Sequence, residues 1–117
     1  MDRWNRLHPT ETPRKPYVTT VLEKEPWPVV AATDYMKLVP EQVAPWVPGG
    51  MVALGTDGFG RSDARSKLRR HFEVDAECIV IAALHELSRR GDVKPQLVAK
   101  AITDLGVDPE KIDPVSV

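Results

Sequence analysis

The stretch GTDGFGRSD, Gly55 to Asp63, gathers the groups in this chain best placed to do chemistry: three glycines, two carboxylates, a guanidinium and two hydroxyls. A glycine-rich loop between a strand and a helix can bind an anion through its backbone N–H groups and the helix dipole. The spacing here matches neither G-x-G-x-x-G nor a phosphate loop with its lysine and hydroxyl, and Asp57 and Asp63 would repel a phosphate. A second reading is a tight turn in which Gly58 and Gly60 take positive φ and Ser62 or Asp63 caps the next helix. Phe59 supports a third, because an aromatic flanked by glycines on an exposed loop tip calls for an apolar partner. In α/β folds, sites form on loops at the C-terminal ends of strands, so the function of this loop stays open at this point.

Other reactive side chains are more scattered. His8, His71 and His85 are far apart, and no carboxylate–histidine spacing marks a metal site. His85 is expected to be a surface or interface histidine, with the neighbouring Glu86 pointing elsewhere. The single cysteine, Cys78, excludes an internal disulfide and a cysteine-based zinc site. Its place in the first turn of a helix could lower its pKa, but its apolar neighbours favour a buried, inert thiol. No serine, cysteine or lysine has a base at a recognisable local spacing. RSDARSKLRRH, Arg61 to His71, carries five basic residues against one aspartate and could open a DNA-binding helix-turn-helix. The net charge of −1 argues instead for a solvated helix face and against a nucleic-acid partner.

The elements that must position these residues differ between the two halves. The 117 residues suffice for one domain with a modest core. Eight of eleven prolines precede Gly49, which marks residues 1–16 as an extended entry segment and residues 17–106 as the folded part. Tyr17, Val18, Val21 and Leu22 predict a short helix that Pro26 ends. The apolar runs PVVAATD (Pro28 to Asp34) and MVALG (Met51 to Gly55) read as parallel strands buried on both faces. Between them a helix is expected from about Tyr35 to Val47, with Pro40 and Pro45 disturbing it and Trp46 pinning its end. The result is a right-handed βαβ unit. Three helices then follow, one to about His71, one capped by Asp75 and closed at Arg89, Arg90 and Gly91, and one from Pro95 to Gly106. Residues 107–117 are a polar tail. Trp4 and Trp27 lie in proline-rich segments and are expected to dock onto parts beyond this chain. No apolar run approaches the ~20 residues of a membrane span, no signal peptide opens the chain, and cysteine usage points to the cytoplasm. Two strands are too few for a free-standing parallel sheet, so the sheet is expected to be incomplete.

Read together and in order, WNRLHP (Trp4 to Pro9), VAATDYMK (Val30 to Lys37), PEQVAPWVPG (Pro40 to Gly49) and LGTDGFGRSDARSKLRRHFEVDAE (Leu54 to Glu77) closely resemble one family. It is the C-terminal domain of the homodimeric, thiamine diphosphate-dependent first component of bacterial pyruvate dehydrogenase complexes. The likeness runs from about Asp2 to Asp113, and more distantly Phe59, Gly60 and Ser62 resemble the corresponding loop of transketolases. The resemblance implies an α/β fold, part of a three-layer transketolase-like C-terminal domain with a mostly parallel sheet. It implies that the chain starts partway through that domain, with Met1 an internal methionine serving as a start. The parent enzyme would decarboxylate pyruvate and acetylate lipoyl groups on dihydrolipoyl acetyltransferase, the step from glycolysis to acetyl-CoA. Its thiamine diphosphate and magnesium would be held upstream, leaving this chain without catalytic, cofactor or metal residues and inactive alone. Its partners would be the remaining domains and a second subunit. At that interface Phe59 would be the apolar anchor and Arg61 and Asp63 the pairing charges, with Asp57 and Ser62 in the same loop. A stand-alone interaction module derived from this domain is the alternative, ahead of a nucleic-acid binder.

Overall fold

The structure is a computed structural model that describes residues 1–25, 27–57 and 64–114. Helix α1 spans Asp2–Leu7 and α2 Tyr17–Leu22, strand β1 is Val29–Ala32, and helix α3 is Leu38–Glu41. A 3-10 turn at Ala44–Trp46 leads to strand β2, Met51–Leu54, and then come α4, Arg65–His71, α5, Ala76–Arg89, and α6, Pro95–Asp104. β1 and β2 pair in parallel, with Val29 opposite Met51 and Ala32 opposite Leu54. The chain is therefore α/β, a small parallel sheet with helices.

The crossover, residues 33–50, is less helical than its periodicity predicts. Pro45 has no N–H to give to the carbonyl of Glu41, so the ladder breaks there into α3 and the 3-10 turn. Helix α5 packs on β1 and on α6, and α3 packs on β2. Burial is a second departure from expectation. Both strands are only half-buried, and Ala32 is exposed. Uninterrupted apolar runs signal burial on both faces, but among the described residues the extensive helix packing on these strands comes from α3 and α5.

The entry segment also differs from the extended form expected for residues 1–16. Prolines begin only at Pro9, so nothing stops a helix over Asp2–Leu7. Trp4 stacks on His8 one turn later, with ring centroids 4.3 Å apart, and the Arg14 guanidinium lies 3.8 Å from the Trp4 ring centre. The Asn5 side chain closes the loop by donating to the Arg14 carbonyl at 2.9 Å and accepting from its N–H at 2.8 Å. Trp4 thus finds its partners inside this chain. Trp27 remains largely exposed, its indole N–H directed at Glu25. The Trp46 carbonyl accepts the Thr19 hydroxyl, tying α2 to the crossover.

The ends of α5 follow the sequence. Asp75 is its N-cap, accepting the Cys78 N–H at 3.1 Å, and Gly91 takes φ of 84° just past its end. There the Gly91 N–H bonds the Ser88 carbonyl and the Asp92 N–H the Leu87 carbonyl, the paired closure of a Schellman motif. Gly106 closes α6 in the same way. The end of α4 repeats the pattern with Glu73 in the left-handed position, φ 60°, where glycine is the ordinary occupant.

The core is thin. Among the described residues the buried apolar side chains are Val47, Val74, Cys78, Val98 and Pro114, and no large side chain is completely shielded from solvent. The accessible surface is 8458 Å². A compact monomer of this mass would expose about 6,300 Å². The radius of gyration is 17.4 Å, against roughly 13 Å for a compact domain of this length.

Candidate functional site at the strand exits

Past its last register pair, the sheet continues as a set of ties between the two exits. The Thr33 N–H reaches the Leu54 carbonyl at 2.9 Å, and the Thr56 N–H reaches the Tyr35 carbonyl at 2.9 Å. The Thr56 hydroxyl adds a bond of 2.6 Å to the Asp34 carbonyl. Gly55 lies buried between these exits, and a Cβ there would stand 2.7 Å from both the Lys37 nitrogen and the Tyr35 oxygen. The first glycine of GTDGFGRSD therefore serves close backbone approach.

Asp57 has a defined task. Its carboxylate accepts the Lys37 N–H at 3.0 Å, spanning the two exits. It is thereby a backbone clasp. Phe59, Arg61, Ser62 and Asp63 lie outside the described residues, as do Gly58 and Gly60. The N-cap position of α4 is Ala64; the capping expected of Ser62 or Asp63 falls on residues outside the described ones.

A cavity of about 600 Å³ opens at the exit of β1, between Thr33 and Asp34 on one side and α4 and the start of α5 on the other. Its charged wall is organised by Arg70, which in the sequence is one member of a general basic run. The guanidinium is bonded to Asp75, lies 3.5 Å from Glu77, and donates to the Gly106 carbonyl at 3.1 Å. Arg70 thus joins α4, the cap of α5 and the end of α6. Burial alone would raise the Asp75 pKa, but the bonds from Arg70 and the Cys78 amide outweigh it and hold the carboxyl below its usual range. The bond to Asp75 likewise raises the pKa of Arg70.

Cys78 is buried one turn into α5, and burial with Asp75 alongside pushes its thiol up to about 12. Desolvation and a neighbouring carboxylate both favour the protonated, inert thiol. His85 is exposed, as expected of a surface histidine. Glu86 does not point away from it: its carboxylate lies 3.8 Å from the His85 ring and bonds Arg89 at 3.1 Å. Among the described residues no three of His, Cys, Asp and Glu gather as a metal-holding group. Among them too, no helix is long and apolar enough to cross a membrane.

Comparison with known sequences gives this chain a family. Residues 1–75 match the model of the transketolase-like C-terminal domain, and the chain belongs to that family. More particularly, it is 53% identical over 116 residues to the pyruvate dehydrogenase E1 component of Pseudomonas aeruginosa. It is 54% identical over 114 residues to that of Escherichia coli K12, and 52% over 114 residues to that of Haemophilus influenzae. These alignments cover 97–98% of this chain and 13% of each relative, so the chain spans about one-eighth of the length of the proteins it matches. The matching region is their C-terminal portion.

Proposed function

We propose that this chain works as the C-terminal segment of a pyruvate dehydrogenase E1-type subunit, supporting the dimer and the wall near the active-site entrance. In this reading the remaining domains decarboxylate pyruvate in the cytoplasm and pass the acetyl group to lipoyl groups on dihydrolipoyl acetyltransferase. Thiamine diphosphate and magnesium belong to those domains, supplying the carbanion chemistry and the diphosphate anchor. The residues of this segment hold shape: Gly55 and Asp57 fix the strand exits, and Arg70 joins three helices.

One observation carries the proposal. The surface of 8458 Å² exceeds that of a compact monomer of this mass by roughly 2,100 Å², more than the ~800 Å² that one partner contributes to a standard interface. Tyr17, Val21, Tyr35, Met36, Leu38, Val39 and Val43 are among the exposed apolar side chains. The nucleic-acid alternative is disfavoured because the second helix of α4–α5 begins with Asp75 and Glu77, two carboxylates at the end that a recognition helix would insert into the groove of a polyanion.

The test is complementation. The Pseudomonas aeruginosa relative, shortened by its matched region, is mixed with this chain and assayed for thiamine diphosphate-dependent decarboxylation of pyruvate. Association and recovery of activity are expected, with no turnover by the chain alone. A chain that turns pyruvate over unaided, or stays a monomer in light scattering without binding the shortened relative, would overturn the proposal.

A further inference from the structure

Helix α4 has no buried residue, and the extensive packing in the structure runs between other elements, α5 with α6, α5 with β1 and α3 with β2. Polar ties also hold α4, and several of them come from the segment after α6. Lys111 Nζ donates to the carbonyls of His71 at 2.6 Å and Arg70 at 3.1 Å, and lies 3.6 Å from the Glu73 carboxylate. The last carbonyls of a helix lack intrahelical partners and carry its partial negative charge, so an ammonium is well matched to them. Three residues further on, Pro114 is buried, and Asp113 and Pro114 share a cleft of about 60 Å³ with Gly55, Asp57, Lys37 and Phe72. One short segment thus meets both the end of α4 and the exit of β2.

We propose that residues 107–114 are a strap that fastens α4 to the β2 exit, with Lys111 as its clasp and Pro114 as its seat. Lys111 is then a positioning residue for the two segments that border residues 58–63. This goes beyond the dimer-supporting reading and does not depend on it, because every contact invoked is within one chain.

The test is amide hydrogen exchange on the full chain and its Lys111→Met variant. The N–H groups of Phe72, Glu73 and Val74, which close α4, and those of Thr56 and Lys37 at the strand exits are expected to exchange at least tenfold faster in the variant. Amides within α5 and α6 should stay within twofold, and Lys111→Arg should retain most of the protection. Unchanged rates in α4, or acceleration shared equally by α5 and α6, would overturn the strap. A second measurement needs no variant: limited acetylation of the native chain, read by mass spectrometry. Lys111, its side chain 28% exposed, should react at least tenfold more slowly than Lys100 at 74%. Equal rates would refute the clasp.

Discussion

Replacing Asp75 with alanine probes the joint on which the helical half turns. Three contributions are lost at once. The N-cap bond to the Cys78 amide contributes about 1 kcal/mol. A negative charge at the start of a helix contributes roughly 0.3–1 kcal/mol. The Arg70 pair, discounted because the Arg70 side chain is more than a third exposed, contributes about 0.5 kcal/mol. Asp75→Ala is therefore expected to lower unfolding free energy by roughly 2 kcal/mol, and the Tm by about 8 °C for a chain of this size. Asp75→Asn keeps a capping oxygen and loses only charge, so it should cost about half as much. Urea unfolding followed by helical circular dichroism measures both. The pH dependence has a definite sign. The folded-state pKa of Asp75 is lowered, so its stabilisation is full above the unfolded value of about 3.9 and is lost as pH falls through the lower folded value. The gap between wild type and Asp75→Asn should accordingly close in acid. A cost for Asp75→Ala below about 0.5 kcal/mol at pH 7 would refute the assignment. So would an asparagine variant as unstable as the alanine one.

Gly55→Ala forces a Cβ against two backbone atoms that cannot swing aside, and should destabilise the chain by about 2 kcal/mol or more, read in the same urea titration. Glu73→Gly should remove the strain of a left-handed glutamate, worth roughly 1 kcal/mol, and give part of that back through the lost Lys111 contact; a net loss of stability would contradict this. Cys78, with its thiol near 12, should resist alkylation at pH 8 in the folded chain and react promptly in urea, as followed by mass.

What the sequence makes legible is local. Asp75 with its acidic first turn, Gly91 and Gly106 announce helix ends, because caps are decided by a few adjacent residues. The two strands show as apolar runs, and their parallel pairing follows from the intervening crossover. Relationships across distance are hidden. Nothing in RSDARSKLRRH singles out Arg70 from its basic neighbours, and its reach to Gly106 spans 36 residues. Lys111 sits in a segment whose composition reads only as a polar tail. The Trp4–His8 pair carries a readable i, i+4 signal, but the prolines that follow favour an extended chain. Asp57 reads as a charge that repels phosphate, and its bond to a backbone amide 20 residues away appears only in three dimensions.

The closures at the ends of α4, α5 and α6 bear on the order of folding. Each is completed by bonds across at most five residues, so each helix can stop itself without help from the sheet. The β1–β2 register, by contrast, joins residues 22 apart and requires a proline-interrupted crossover to be gathered first. Short-range contacts form faster than long-range ones because less chain entropy is lost before they form. The helical half is thus expected to form first, with the strands joining it later.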